Sequence, residues 1–275
     1  MSLFVASLNS GSNGNSYFLA SHETAIIVDA GLSCRETEKR LKRLGRSLRH
    51  ISAIFITHEH GDHIHGLPAI CKKYRIPVYV SPKTLGGSRM EIDRTLVHGI
   101  PTHEPIIVGD LEITAFAKCH DASDPHSFVV SKNGVRVGVF TDHGHACENT
   151  VHYFSQCHAV FLESNYDEDL LEQGRYPYHL KERIRGDKGH LSNKQALDLF
   201  NTHRSPYLSH LFLSHLSEDN NHPRLVNNYF LKHSGTTEIV VASRKKESGL
   251  YHIRNAPAKR RIAVGVKETV QLGLF

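Results

Sequence analysis

The sequence predicts an α/β fold, and two observations predict it. Short apolar segments with strand character recur in both halves of the chain, around residues 24–29, 53–57, 78–80, 159–162, 210–213 and 239–242. Stretches with helical periodicity or cap signals lie between them. Strands and helices that alternate in both halves suit two sheets packed face to face with helices outside. The length, 275 residues, suits one large domain of this class or two small ones.

Leu3 to Leu8 and Tyr17 to Ala20 read as a strand pair around a Ser/Gly/Asn loop. Thr24 to Asp29 is apolar and ends at a carboxylate. Ser33 to Leu44 reads as a helix: Ser33 and Glu36 fit a capping box, Thr37, Leu41 and Leu44 share a face, and Gly45 marks a stop. Ala53 to Thr57 is a strand, Leu67 to Tyr74 a helix and Val78 to Val80 a strand. Residues 106–118 and 126–140 are strand-like, and Asn133-Gly134 is a strong hairpin signal. In the second half Ala159 to Leu162 is a strand, and Ser192 and Gln195 cap a helix to about Phe200. His210 to Leu213 is a strand, Arg224 to Lys232 a helix and Ile239 to Ala242 a strand. Residues 1–255 make the expected domain, and 256–275 read as a tail.

The hydrophobic fraction of 39% is compatible with a folded core, and the net charge of +5 is a mild basic bias consistent with a polyanionic substrate. Five cysteines, Cys34, Cys71, Cys119, Cys147 and Cys157, form no C-x-x-C pair. That odd, scattered set argues for a reducing compartment. There is no signal-peptide pattern, and no apolar run approaches the ~20 residues that span a bilayer. The expected location is the cytoplasm.

Residues 57–63 read Thr57-His58-Glu59-His60-Gly61-Asp62-His63. Four metal-ligating side chains follow directly on the strand-like Ala53-Ile54-Phe55-Ile56. Such a loop aims imidazoles and a carboxylate at one point, and His with Asp is a common donor set for first-row metals. The competing reading is a solvated polar loop, which the H-x-H-x-D-H spacing disfavours. Further candidates at strand ends are His120, Asp142 and His215. Their neighbouring rivals are His126 and Cys119, then His143 and His145, then His210.

These residues resemble the metallo-β-lactamase superfamily of metal-dependent hydrolases. Ser7 to Ser16, Asp29-Ala30-Gly31-Leu32-Ser33, Thr141-Asp142, Leu162-Glu163-Ser164-Asn165, Gly189-His190-Leu191-Ser192-Asn193 and Leu213-Ser214-His215-Leu216-Ser217 are similar to its YycJ/WalJ-like branch. The resemblance implies an αββα four-layer sandwich and two divalent ions. It implies that His58, His60 and His120 hold one ion, that Asp62, His63 and His215 hold the other, and that Asp142 bridges them. Asp29 would support the ligands from behind. Mixed His/Asp ligation suits Zn²⁺, Mn²⁺ or Fe²⁺, and the resemblance favours the first two.

Two such ions ~3.5–4 Å apart acidify a water and clamp a phosphate diester. His190 is the candidate proton donor to the leaving oxygen, and Glu163 would orient it, a pairing similar to that of RNase Z-type phosphodiesterases. The alternative is a loop histidine and a capping glutamate. Residues 172–190 interleave Arg175, Lys181, Arg183, Arg185 and Lys188 with Tyr176 and Tyr178. Either a nucleic-acid track or a solvated helix face would carry that pattern. Ser12, Asn13 and Asn15 in the Ser/Gly/Asn loop are candidate substrate contacts as well as hairpin residues.

The branch resemblance implies a 5′-to-3′ exonuclease acting on DNA. Asp142 and His215 are 73 positions apart, which leaves no room for the extra domain of RNase J-like nucleases. The alternatives are a small-molecule hydrolase, cleaving a cyclic phosphodiester or a thioester, and a non-catalytic binding module. The last five residues, Gln271-Leu272-Gly273-Leu274-Phe275, resemble the peptide by which bacterial repair proteins dock on the sliding clamp. Leu272, Leu274 and Phe275 would enter apolar pockets, with Gln271 at the rim. The competing reading is a final edge strand.

Overall fold

A computed structural model describes residues 2–255. The first strand, β1 (Ser2–Asn9), leads antiparallel into β2 (Ser16–Ala20) and β3 (Ala25–Val28). The pairing then becomes parallel through β4 (Ala53–Phe55), β5 (Val78–Tyr79) and β6 (Val97–His98). Helix α1 (Cys34–Arg43) connects β3 to β4. Helices α2 (Gly61–Ile64) and α3 (Leu67–Tyr74) precede β5, and α4 (Pro82–Gly87) follows it.

The second sheet repeats the plan. β7 (Pro105–Val108), β8 (Leu111–Ala117), β9 (His126–Lys132) and β10 (Val135–Phe140) are antiparallel. β11 (Ala159–Glu163), β12 (His210–Ser214) and β13 (Glu238–Val241) then pair in parallel after β10. Helix α5 (Glu148–Phe154) precedes β11. Helices α6 (Glu168–Gln173), α7 (Tyr178–Arg185) and α8 (Asn193–His203) lie between β11 and β12, and α9 (Pro223–Leu231) precedes β13. β14 (Tyr251–Arg254) returns to the first sheet beside β1.

Among the described residues the strands form two seven-stranded sheets. Strand alternation sorts the apolar side chains into three layers. Leu3, Val5, Phe55, Phe128, Phe161 and Phe212 fill the space between the sheets. Ala6, Leu8 and Ile54 face α1 and α3 with Leu41, Leu67 and Ile70. Val160, Leu162 and Leu211 face α8 and α9 with Phe200 and Phe230. Each fully buried Phe contributes roughly 1.5–3 kcal/mol. Three apolar layers between four layers of structure make the αββα sandwich that the family resemblance implies.

Local differences from expectation have local causes. The strand-like stretch 106–118 is two strands, because Gly109 turns at φ +57°. Asn133 and Gly134 both have positive φ, 50° and 84°, which is the two-residue hairpin turn expected. At α1 the Ser33 hydroxyl accepts from the Glu36 N–H at 3.3 Å, but the Glu36 carboxylate binds Arg40 instead of closing the box. At α8 the box of Ser192 and Gln195 is complete. Helix α7 buries no residue, so it carried no apolar stripe to read. No helix among the described residues is long and apolar enough to cross a membrane.

Candidate metal centre

Parallel strands bring their C-terminal ends to one edge, where loops from both sheets meet. Asp29 follows β3, and the segment from Thr57 to His63 follows β4. Asp142 follows β10, Glu163 ends β11 and His215 follows β12. Asp29, Asp142 and His215 have φ of 62°, 58° and 55°. Left-handed backbone in non-glycine residues is strained and concentrates at functional sites. Neighbouring hydrogen bonds hold each one. The Asp29 N–H donates to Phe55 O at 2.8 Å. The His215 N–H donates to Ser10 Oγ at 2.7 Å, and its carbonyl accepts from Asn165 Nδ2 at 2.8 Å. Lys118 Nζ donates to Thr141 O at 2.6 Å, and the His143 N–H to Glu163 Oε2 at 2.7 Å, on either side of Asp142.

Donor atoms of His58, His60 and His120 lie within 4.8 Å of one another, as do those of Asp62, His63 and His215. Asp142 stands between the groups: it clusters with His58 and His63 on one side and with Glu163, His190 and His215 on the other. Asp142 Oδ2 and His215 Nε2 are buried with no hydrogen-bond partner among the described residues. Buried polar atoms without partners demand an explanation, and a divalent cation that replaces the His215 proton would satisfy both. The donor set therefore fits metal ions on this structure's own geometry.

The groups behind the donors fix their orientation. Asp29 Oδ2 accepts from His63 Nδ1 at 2.7 Å and from Thr57 Oγ1 at 2.9 Å, leaving His63 Nε2 to face the site. Asn15 Nδ2 lies 3.0 Å from Asp62 Oδ2 and 3.1 Å from His63 Nε2. That approach requires Gly31: a Cβ there would stand 1.7 Å from the Asp62 carbonyl oxygen. Glu163 Oε1 accepts from His190 Nδ1 at 2.8 Å and lies 2.9 Å from His215 Nδ1. The His190 ring stands 5.3 Å from that of His120 and 5.2 Å from that of His215, and it is partly exposed.

Electrostatics divide the two groups. Burial pushes His58 well below the usual histidine range, and His63 and Lys118 add to it. Burial lowers His120 to about 4; Asp142 opposes this, and Lys118 and His190 reinforce it. For His63 burial opposes the charge, but Asp142, Asp29 and Asp62 outweigh it and hold the pKa well above normal. His215 is likewise opposed by burial, yet Asp142, Asp62 and Glu163 raise it to about 10. Burial works against the Glu163 carboxylate, but His190 and His215 outweigh it and hold it at about 2.

The rivals lie elsewhere. His126 bonds Asp124 O and Thr102, and His143 bonds Ser127 and Thr150. His145 bonds Asp187 O, and His210 pairs with Glu238. Ser12 and Asn13 are exposed, and Asn13 Nδ2 donates to Arg244 O at 2.8 Å. The two arginines separate. Arg183 Nε donates to Asp121 Oδ2 at 2.6 Å, and Asp121 Oδ1 lies 3.4 Å from His120 Nε2. Arg185 pairs with Glu172 and Glu182 away from the donors. Gln271, Leu272, Leu274 and Phe275 lie outside the described residues. Lys118, Asp121 and Asn165 were not among the sequence candidates. Asp121 could have been noticed as the carboxylate beside His120, and Asn165 as the last residue of the Leu162-Glu163-Ser164-Asn165 motif; nothing in the local pattern marks Lys118.

An αββα sandwich with a His/Asp cluster at its strand ends suits a metal-dependent hydrolase centre, and the comparisons with known proteins bear this out. The Beta-lactamase superfamily domain matches residues 24–215. The chain is 34% identical over 229 residues to Exodeoxyribonuclease YycJ of Bacillus anthracis, covering 80% of this chain and 85% of that one. It is 32% identical over 219 residues to Exodeoxyribonuclease WalJ of Streptococcus pneumoniae, covering 78% and 81%. The fold matches the metallo-β-lactamase fold protein YhfI from Bacillus subtilis with a TM-score of 0.70, at 15% identity over 92% of this chain and 100% of that one. The chain belongs to the metallo-β-lactamase superfamily and is a metal-dependent hydrolase. That fold implies divalent metal ions, and the His/Asp clusters are the groups that could hold them.

Proposed function

We propose that this chain is a DNA exonuclease that cleaves phosphodiesters from the 5′ end. One observation carries the reading: a His190–Glu163 pair borders the His/Asp cluster, in a chain similar over four-fifths of its length to proteins named exodeoxyribonuclease. His58, His60 and His120 would hold one ion, and Asp62, His63 and His215 a second, with Asp142 shared; zinc or manganese suits the donors best, with iron as a third choice. Bound there, the ions would neutralise the diester's charge and acidify the attacking water.

The chain's own groups do the rest. Glu163 remains ionised and takes the Nδ1–H of His190, which leaves His190 Nε2 to deliver a proton to the leaving sugar oxygen. Asp29 holds His63, and Asn15 holds Asp62, so neither turns away when substrate arrives. Residues 1–255 serve as the catalytic domain, working in the cytoplasm. Residues 256–275 serve as a tail, in which Gln271, Leu272, Leu274 and Phe275 dock on a bacterial sliding clamp; the support for this is the peptide's sequence.

The test is metal-loaded protein with end-labelled single- and double-stranded DNA and RNA, beside bis-p-nitrophenyl phosphate and a glutathione thioester. Mononucleotide release from 5′ ends of DNA is expected. Turnover of the thioester alone, or of the small diester with no nucleic acid cut, would replace the reading with a small-molecule hydrolase. For the tail, a peptide of residues 262–275 should bind the clamp at about micromolar strength. Loss of Leu274 and Phe275 side chains should abolish this. No binding by the intact protein sinks the tail proposal alone.

A further inference from the structure

A cavity of about 440 Å³ lies beside the candidate metal centre, between the loops after β12 and β13. Its volume falls in the range of small-ligand pockets, ~300–1,000 Å³. Leu216, Pro223, Val241 and Ala242 give it an apolar lining, and Arg244 and Lys245 place two cations on it. Arg244 is pinned on one side, with Nη1 paired to Glu218 Oε2 at 2.5 Å. Its other side packs on Gly11, where a Cβ would stand 3.0 Å from Nη2 and 3.2 Å from Nε.

The cavity adjoins the centre through Ser10 and Leu216, although no candidate metal donor lines it. Ser10 lines it, and the Ser10 hydroxyl accepts the backbone N–H of His215. The same loop ties both ways: the Ser10 N–H donates to Ser243 O at 3.2 Å and Asn13 to Arg244 O, while Asn15 reaches Asp62 and His63. Leu216 is the residue next to His215.

Resting on the exonuclease reading, we infer that this cavity seats the terminal nucleotide of the DNA strand. The base lies against Leu216, Pro223 and Val241, and the phosphate is held by the positive charge of Arg244 and Lys245. Room for one nucleotide, one residue from a candidate metal ligand, makes the end of a strand the substrate.

The experiment measures inhibition of oligonucleotide cleavage by dAMP and by 2-deoxyribose 5-phosphate, which lacks the base. It uses the metal-loaded full chain, Val241→Phe and Arg244→Gln, with bis-p-nitrophenyl phosphate as the second substrate. In the wild type dAMP should compete about tenfold more tightly than the sugar phosphate, since a seated base contributes on the order of 1.4 kcal/mol. Val241→Phe should erase that preference. Both variants should lower the ratio of oligonucleotide to small-diester kcat/KM by about tenfold, through KM, with wild-type metal content. An unchanged ratio in both variants, equal inhibition by the two probes, or equal losses on both substrates overturns the proposal. Wild-type protein that hydrolyses neither substrate removes the phosphodiesterase reading itself and this pocket's role with it.

Discussion

The two sheets share one plan, an antiparallel run followed by parallel strands whose C-terminal ends carry the site, but they furnish it differently. The first sheet supplies His58, His60, Asp62 and His63 from one short segment after β4, the last two on α2, with Asp29 bonded behind His63. The second supplies one group per strand end, Asp142, Glu163 and His215, with His120 from the loop between β8 and β9 and His190 from the segment between β11 and β12. The first set is placed by local chain geometry. The second depends on three parallel strands holding register, with Val139↔Phe161 and Phe161↔Phe212 side by side. Sequence-distant donors therefore tie the site to the integrity of the second sheet.

The largest expected effect comes from the residue that joins the two contributions. Asp142→Ala should lower metal content at both sites and reduce phosphodiester hydrolysis on the order of 10⁴-fold, since each ion supplies several kcal/mol. Elemental analysis after dialysis reads the metal. A variant that keeps two ions per chain would break the picture of Asp142 as the shared group. Next, His190→Ala should retain metal and lose roughly 10²–10⁴ in kcat, the range for a general acid. A wild-type rate would remove His190 from the chemistry.

The split in electrostatics gives a pH prediction. In the metal-free chain His215, raised to about 10, and His63, also raised, carry protons at neutral pH, whereas His58 and His120, both lowered, do not. A cation at Asp62, His63 and His215 must displace protons from both histidines; one at the other group meets His58 and His120 already unprotonated. Acid therefore competes with the first site more strongly, by about tenfold in affinity per pH unit and displaced proton. Zinc content at limiting free metal should step down from two ions towards one as pH drops below the raised His215 value of about 10, with the second ion kept until pH nears the lowered His120 value of about 4. His215→Ala should remove the step. Loss of both ions together would mean the sites are too strongly coupled to be separated in this way.

The same asymmetry explains what could be read from the chain. The H-x-H-x-D-H loop is a local pattern, and so is the capping box of α8, so both were visible. Asp142 and His215 stood out from their neighbours only because each follows an apolar strand. Lys118 acts through complete burial against Thr141 O, and Asp121 through α7, which brings Arg183 to it. Burial and docking are tertiary properties without a sequence period. The short edge strands β6 and β14 were missed for the same reason: their pairing partners define them.

Support behind the donors should matter less than the donors. Asp29→Asn keeps the shape but replaces a carboxylate that accepts from Thr57 and His63 with an amide that can also donate. Metal affinity at the Asp62, His63 and His215 group should fall by about 10–100-fold, the range for such partners, with the His58, His60 and His120 group less affected. Competition with a chromophoric chelator checks this, and equal weakening at both would contradict the division of the site.

The smallest effect separates the two arginines. Arg183 is tied to Asp121, and Asp121 reaches His120, so this guanidinium sits at the mouth of the site. Arg185 is held by Glu172 and Glu182 on α6 and α7, next to the cavity lined by Lys194 and Asp198. A phosphate near the centre can take Arg183 from Asp121, at little loss because exposed ion pairs are worth ~0–1 kcal/mol. Arg183→Glu should weaken DNA cleavage several-fold and lower the salt slope by about one unit, while cleavage of the small diester changes less. Arg185→Glu should do neither. If the two variants behave alike, α7 contributes a diffuse charge, and the contact between Arg183 and Asp121 plays no special part in holding the strand.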